Sequence, residues 1–277
     1  MIEGKPSETA QIVCLMRALE YRWNSDKSLL SDKYAEFFLT GRFKFWHSFL
    51  SGVSGRILFP AFQWLYDAAV LRSALMDEYI RKHGNECPVV ILGAGFDSRS
   101  VRMKDQMRQG VYEIDFPATQ DYKRSVLREN GIDDSHVFYY NADFMKNTLL
   151  EILSGLDLHG KRVILIWEGV SMYLTEDLVY ETVRNIGQYF GKDSVLIADF
   201  WLQSFALPEF INRSVQNLFQ ILWDEPILFG TSPEELKKNL EERDGFECTI
   251  MSYDSLSEMF SVQKTLYSPF FTAIVKY

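Results

Sequence analysis

The fold is decided by the stretch Val89-Val90-Ile91-Leu92-Gly93-Ala94-Gly95-Phe96-Asp97-Ser98-Arg99. Its four leading branched apolar residues are typical of a strand buried on both faces of a parallel sheet. Gly-Ala-Gly then predicts a tight turn in which no Cβ blocks a ligand, followed by a helix. Such a turn is expected to present free backbone N–H groups to a ligand. Glycines also end strands for structural reasons, so this turn alone does not establish a binding site.

A second strand carries an acid where nucleotide-binding α/β folds hold a ribose. Val111-Tyr112-Glu113-Ile114-Asp115 ends in an acid that lies 22 positions after Gly93, the usual distance for an acid on the ribose hydroxyls. The dinucleotide fingerprint requires a third glycine, and Ser98 stands in its place. Asp97 would repel a pyrophosphate but suits a cationic or neutral ligand. The turn therefore favours S-adenosylmethionine over NAD.

Composition and charge narrow the class of protein. The chain has 277 residues, 47% hydrophobic and 15% aromatic, enough for a substantial core. A net charge of -9 argues against a nucleic-acid partner, and no apolar run is long enough to span a membrane. Cys14, Cys87 and Cys248 lack metal-ligand spacing, so we predict reduced thiols and no metal site. Without a signal peptide at the N-terminus, we expect a soluble cytoplasmic protein.

Strands and helices alternate along the middle of the chain. This alternation predicts an α/β fold with a doubly wound, mostly parallel seven-stranded sheet. Further strands are expected at 137–140, 163–167, 195–200, 246–251 and 263–276, the last two forming an antiparallel pair. Helices are expected at 7–23, 31–38, 60–82, 116 onward, 176–190 and 232–242. We predict one domain over residues 1–277, with an N-terminal helical cap (residues 1–84) and a substrate-side helical cap insertion (residues 201–230).

An aromatic cluster lies within the N-terminal region. It consists of Phe43, Phe45, Trp46 and Phe49. We interpret these side chains as core, and a wall over a ligand is the alternative.

Acids follow four successive strands at their carboxyl ends, the edge where open α/β sheets bind ligands. They are Asp97, Asp115, Asp143 and Glu168. Together they suit ribose hydroxyls, an exocyclic amine, an ammonium and the sulfonium of S-adenosylmethionine. The ligand's carboxylate then needs a cation, for which Arg72 and Arg17 are candidates.

Two further charged residues need partners. The alternative for Arg72 is a surface ion pair with Asp77 or Glu78. Glu113 shares the side of the strand on which Asp115 lies, and a buried carboxylate needs a partner. We expect that partner to be Arg99.

Three motifs taken together resemble the leucine carboxyl methyltransferase family, which includes bacterial O-methyltransferases similar to those that methylate polyketides. The motifs are LGAGFDSR at 92–99, YEIDFP at 112–117 and WEGVSMYL at 167–174. RSALMD at 72–77 and MRALE at 16–20 also resemble helices of this family, so the likeness covers roughly residues 8–200. It implies a Rossmann-like class I methyltransferase fold with S-adenosylmethionine as cofactor. Ser98, where the family often has threonine, is a departure.

The resemblance also implies roles for individual residues. It places the turn of Gly93, Ala94 and Gly95 against the cofactor and Asp115, followed by Phe116, at the ribose. It places Asp143 and Phe144 by the adenine. The methionine end is expected to meet Glu168 through its amine and Arg72, with Arg17 as the other candidate, through its carboxylate. Tyr173 is expected near the transferred methyl group, as the catalytic residue.

Methyl transfer to an oxygen of a small molecule or a peptide carboxyl is the function that these features predict. A carboxylate acceptor is already ionised at neutral pH, whereas a phenol usually needs a base. All four histidines lie outside the motifs, which favours an acidic acceptor; His47 is the one nearest to a plausible site. A nicotinamide-dependent oxidoreductase is disfavoured by Asp97 and Ser98, and a non-catalytic binding protein by the acidic rim. The acceptor and the oligomeric state stay open.

Overall fold

A seven-stranded sheet forms the centre of the fold. The computed structural model describes residues 8–52, 63–144, 148–203, 227–263 and 268–277. Within these residues the sheet has the order β3-β2-β1-β4-β5-β7-β6. The strands are β1 Val89–Leu92, β2 Val111–Asp115, β3 Val137–Asn141, β4 Ile164–Trp167, β5 Val195–Trp201, β6 Glu247–Met251 and β7 Phe270–Lys276. β1 to β5 are parallel, and β7 is antiparallel to β5 and β6. The predicted sheet, including its antiparallel pair, is confirmed.

Helices cover both faces of this sheet. They are α1 Glu8–Asn24, α2 Gly41–Leu50, α3 Gln63–His83, α4 Arg99–Arg102, α5 Pro117–Glu129, α6 Leu149–Ser154, α7 Glu176–Tyr189, α8 Pro233–Lys238 and α9 Tyr253–Met259. Most lie where the sequence predicts them, although α2, α6 and α9 were not predicted. Most of the predicted cap insertion, residues 204–226, and the predicted start of α3 at Pro60 lie outside the described residues.

The helix predicted at 31–38 is wrong. Only a 3-10 turn forms there, Ala35–Phe38, because the Asp32 carboxylate accepts hydrogen bonds from the backbone N–H groups of Tyr34 and Ala35 and favours a turn. The next helix, α2, begins at Gly41.

Alternating side chains of β1 build two core layers. Val90 and Leu92 pack with α6 and α7 on one face, and Val89 and Ile91 pack with α3 on the other. These four residues are at most 2% exposed, and burying each contributes roughly 1.5–3 kcal/mol. Because a core layer covers each face of β1, its side chains have almost no contact with water, which explains its uninterrupted apolar sequence.

The aromatic cluster of the N-terminal region divides between core and surface. Phe43 is buried among α1 and its neighbours. Phe45, Trp46 and Phe49 are 65%, 46% and 45% exposed, so the prediction of core is right for Phe43 and wrong for the other three. Among the described residues α2 packs through the face that carries Phe43, and positions 45, 46 and 49 share the opposite face at helical spacing.

The topology brings several strand ends to one edge. β1, β2, β4 and β5 are parallel neighbours, so their carboxyl ends meet there, and α1 contacts α3 beside them.

None of the helices in the described ranges is both long and apolar enough to cross a membrane. The three cysteines are free and buried.

Candidate active site

A cavity of about 370 Å³ lies at the carboxyl edge of the parallel strands. All eleven residues singled out from the sequence line it: Arg17, Arg72, Gly93, Ala94, Gly95, Asp115, Phe116, Asp143, Phe144, Glu168 and Tyr173. Residues separated by more than 150 positions thus share one wall, as expected for an open α/β sheet. Their individual roles toward a ligand stay predictions.

The glycine turn after β1 is shaped for close approach. Gly93 and Gly95 have φ of +65° and +46°, a region that glycine enters readily. A Cβ on Gly93 would lie 2.5 Å from Val170 Cγ2. Position 93 therefore has no room for a side chain.

The same turn lacks the free N–H groups that the sequence suggested. Gly93 and Ala94 N–H donate to the carbonyl of Ile114 at 2.8 and 3.2 Å, and Gly95 N–H donates to Asp115 Oδ2. The expectation is wrong for these three groups. The helix that follows, α4, has only four residues. The turn thus offers little to a phosphate, which needs several free donors.

Asp115 is oriented by the backbone around it. Its Oδ2 accepts from Gly95 N–H, and its Oδ1 accepts from Phe116 N–H at 2.5 Å. An ionised carboxylate has about four acceptor sites, so each oxygen keeps one for a ligand. Burial raises the pKa of this carboxyl, and the two N–H donors oppose that rise.

Glu168, at the end of β4, is held by three donors. Its Oε1 accepts from Arg72 Nε at 3.2 Å and from Ser73 Oγ at 2.6 Å. Its Oε2 lies 2.8 Å from Arg99 Nη1. Burial would raise the pKa of Glu168, but the charges of Arg99 and Arg72 outweigh burial and lower it. By the same inventory, about one acceptor site stays open on Oε2.

Arg72 is buried and pairs with two carboxylates. Besides Glu168, its Nη1 donates to Asp199 Oδ2 at 2.6 Å, and only 4% of the residue is exposed. The alternative of a surface ion pair with Asp77 or Glu78 is therefore wrong. Arg72 Nη2 takes part in neither of these ion pairs and lies 3.5 Å from the position of a Cβ on Gly169, at the cavity wall.

These ion pairs extend into a buried chain of alternating charges. Arg99 contacts Asp77, Asp97 and Glu168. Beyond it, Arg102 contacts Asp77 and Asp32, and Arg17 contacts Asp32. With Arg72 and Asp199 the chain holds four guanidiniums and five carboxylates. It therefore carries one excess negative charge beside the cavity.

The expected pair of Glu113 with Arg99 is wrong. Lys123 Nζ lies 2.6 Å from Glu113 Oε2, and both side chains are fully buried. Lys123 projects from α5, which follows β2, whereas Arg99 points to α3 and to the end of β4. The position of Arg99 just after the glycine turn does not indicate in which direction its side chain points.

α1 covers the cavity with one helical face. Thr9, Val13 and Arg17 recur every four residues and all line the cavity. Tyr173 donates to Thr9 Oγ1 at 3.1 Å, and Arg17 Nη2 donates to the Phe96 carbonyl at 2.5 Å. The spacing of four could have identified Thr9 and Val13 beside Arg17.

Asp199, which supports a residue of the cavity lining, was not predicted from the sequence. It lies in β5 and pairs with Arg72. The signal was present, because a fifth acid near the carboxyl end of a fifth strand continues the series of four.

Two further expectations concern residues away from the cavity lining. His47 lies in α2 and is not among the residues lining the cavity; burial lowers its pKa. Over the described ranges, no group of three or more His, Cys, Asp or Glu is arranged to hold a metal ion.

Comparisons with known proteins agree on the fold. The chain is 32% identical over 195 residues to a Mycolicibacterium paratuberculosis protein provisionally named an S-adenosyl-L-methionine-dependent methyltransferase, which covers 64% of this chain and 59% of that protein. The chain spans less than two thirds of the curated relatives it matches.

Two solved structures share the architecture. A provisionally assigned methyltransferase from Thermobifida fusca has a TM-score of 0.60 at 14% identity, covering 99% of this chain and 96% of that one. A DUF574 family protein from Streptomyces avermitilis has a TM-score of 0.61 at 14% identity, covering 100% and 99%. The fold is therefore that of class I methyltransferases.

The family assignment rests on the region that forms the cavity. The leucine carboxyl methyltransferase family matches residues 10–187, which is 178 of the 277 residues. That range contains the glycine turn, Asp115 and Glu168. The chain belongs to the leucine carboxyl methyltransferase family.

Proposed function

We propose that this protein is an S-adenosylmethionine-dependent methyltransferase that transfers the methyl group to an oxygen atom. The charge of the cavity lining carries the proposal. Four carboxylates (Asp97, Asp115, Asp143 and Glu168) and two guanidiniums (Arg17 and Arg72) line it. This net negative lining attracts a cation. S-adenosylmethionine has a net charge of about +1 at neutral pH, from a sulfonium, an ammonium and one carboxylate. NAD would bring a pyrophosphate to the same wall.

The adenosine half of the ligand matches the acceptor sites that the protein leaves open. Asp115 keeps one site on each oxygen, which suits the two adjacent hydroxyls of a ribose. Asp143 and Phe144 lie beside it, because Ala142 N–H donates to the Asp115 carbonyl at 2.9 Å and joins the two strand ends. We assign the adenine to Asp143 and Phe144, with the carboxylate facing the exocyclic amine.

The amino-acid half matches the other end of the cavity. The open site on Glu168 Oε2 suits an ammonium, since a carboxylate forms its strongest hydrogen bonds with charged donors. Arg72 Nη2, at the cavity wall, and Arg17 are the cations for the ligand's carboxylate. The excess negative charge of the buried chain favours a ligand that brings a positive group to this end.

Methyl transfer needs alignment more than proton transfer. The acceptor oxygen attacks the methyl carbon as the bond from that carbon to sulfur breaks, and the enzyme aligns the three atoms and excludes water. Tyr173, tied to Thr9 on α1, is assigned to the methyl end. No histidine is among the described lining residues, which supports a carboxylate acceptor on a small molecule or peptide, since it needs no base.

The net charge and the free cysteines of the protein also fit this proposal. A net charge of -9 disfavours nucleic acid as acceptor. The three free, buried thiols support a reducing compartment such as the cytoplasm.

Ligand-induced thermal stabilisation tests the cofactor. S-adenosylmethionine and S-adenosylhomocysteine, each at about 100 times the dissociation constant, should add roughly 2.7 kcal/mol and raise Tm by several degrees. NAD should have no effect. Asp115→Ala should remove most of the shift. Asp105 is an exposed acid in the 3-10 turn Lys104–Gln106 before β2, so Asp105→Ala should keep the shift. A shift with NAD alone would refute the proposal.

The acceptor atom is tested with a radiolabelled methyl group. Incubation with a panel of acids and phenols should label an acid, and mild alkali should release the label as methanol, because esters hydrolyse and aryl ethers do not. Alkali-stable label would indicate a phenol acceptor. Labelled product with an N- or S-methyl linkage would refute oxygen as the acceptor.

A further inference from the structure

Asp199 sits behind the cavity wall and touches two of the elements that form it. Its side chain is fully buried, and it does not line the cavity itself. Oδ2 accepts from Arg72 Nη1 at 2.6 Å, and Oδ1 accepts from Gly169 N–H at 2.6 Å. One carboxylate therefore joins α3 to the turn after β4.

The backbone of Asp199 strengthens the same connection. Its carbonyl accepts from Ser171 Oγ at 2.6 Å, and Ser171 begins the 3-10 turn Ser171–Tyr173. Gly169, held by the side chain, has φ of +71°. Both contacts fix the segment that runs from Glu168 to Tyr173, on which two of the proposed ligand contacts lie.

We propose that Asp199 is a positioning residue for the amino-acid end of the ligand, which acts through Arg72 and Gly169. The inference rests on the proposed function. Asp199 holds one edge of the guanidinium and Glu168 holds Nε, so that Nη2 is directed to the wall beside Gly169. In this arrangement the charge of Arg72 is shared between two carboxylates.

Loss of Asp199 would change what Glu168 can do. Arg72 would then pair with Glu168 alone and could rotate to bind both of its oxygens, since guanidinium and carboxylate favour a bidentate pair. That pairing would occupy the acceptor site on Oε2 that we assign to the ligand's ammonium. Asp199 thus keeps Arg72 available for the ligand's carboxylate and Glu168 available for its ammonium.

Two ligands separate this role from general stability. S-adenosylhomocysteine carries the amino-acid group, and methylthioadenosine has the same adenosine without it. Asp199→Asn should weaken S-adenosylhomocysteine by about tenfold or more and methylthioadenosine by less than about threefold, measured by calorimetry. Glu113→Gln is the matched control, because it too replaces a fully buried strand carboxylate with a cation at 2.6 Å. It should leave the ratio of the two affinities unchanged.

The outcomes are distinguishable. An equal loss for both ligands in Asp199→Asn, or no loss, would overturn the positioning role while wild-type binding upholds the proposed function. Wild-type protein that binds neither ligand would refute the proposed function and this inference with it. If Asp199→Asn does not fold, Asp199→Glu keeps the charge but displaces the guanidinium. It should lower the S-adenosylhomocysteine affinity selectively, and an unchanged ratio would again overturn the role.

Discussion

Replacement of Gly93 by alanine should destabilise the fold through two separate effects. At φ of +65° an alanine is strained by roughly 1–2 kcal/mol. The new Cβ would also lie 2.5 Å from Val170 Cγ2, an overlap that core overpacking data place at about 1–3 kcal/mol. We expect Gly93→Ala to lower the free energy of unfolding by about 2–5 kcal/mol in total.

A double variant isolates the overlap. Val170→Ala removes Cγ2, and the Cβ of residue 170 would lie an acceptable 3.7 Å from the new Cβ. Gly93→Ala with Val170→Ala should therefore be less destabilised than the sum of the single variants, by about 1–3 kcal/mol. Gly131→Ala is the control, because Gly131 has φ of +64° and, apart from its chain neighbours, no described residue has an atom within 4 Å of its Cβ position. It should show the strain alone.

Urea unfolding at constant m-value provides the free energies. If the free-energy change of the double variant equals the sum of the two single changes at 93 and 170 within about 0.5 kcal/mol, the overlap is refuted. A Gly131→Ala loss as large as that of Gly93→Ala would show that strain explains the whole effect.

Three further expectations follow from burial and charge. Phe45 is 65% exposed, so Phe45→Ser should change the free energy of unfolding by less than about 0.5 kcal/mol. Phe43 is buried, so Phe43→Ala should lower the free energy of unfolding by about 3 kcal/mol in the same urea assay. Lys123→Met should lower the free energy of unfolding by about 3–5 kcal/mol because it leaves Glu113 buried without its cation. The double variant Lys123→Met with Glu113→Gln should recover most of that loss, and a double variant as unstable as Lys123→Met would contradict the explanation. The pKa of the Asp97 carboxyl is low, since Arg99 and Arg17 outweigh the burial that would raise it. Its ion pairs therefore stabilise the fold fully above the ordinary aspartate pKa of about 4 and less as pH falls below it, so the stability difference between wild type and Asp97→Asn should shrink from pH 6 to pH 3.

The sheet and the cavity were predictable because local patterns encode them. A short, β-branched run such as Val89 to Leu92, ended by glycines, favours a strand buried on both faces, and the carboxyl end of such a strand meets those of its parallel neighbours. Residues such as Asp115 and Glu168 could therefore be placed at one edge without knowledge of any contact. Helix boundaries such as that of α7 followed from periodicity.

Directions of side chains were not predictable in the same way. Whether Glu113 meets Arg99 or Lys123 depends on how α5 rotates against β2, which no spacing in the sequence reports. The exposed face of α2 was not predictable for a related reason, since Trp46 and Phe49 have the composition of a core but lie on the side of the helix away from its packed face. The two carboxylates that pair with Arg72 lie 96 and 127 positions further along the chain.

The place of β7 in the sheet has a consequence for folding during synthesis. β7 lies between β5 and β6 and is made after both. In the part of the sheet that the structure describes, β6 pairs with β7 alone, so this pairing waits until β7 has left the ribosome. Until then β5 exposes an unpaired edge of high β-propensity, an arrangement that invites pairing with other chains. We expect nascent chains that end before Phe270 to bind chaperones and to aggregate, although every predicted ligand residue has already been made.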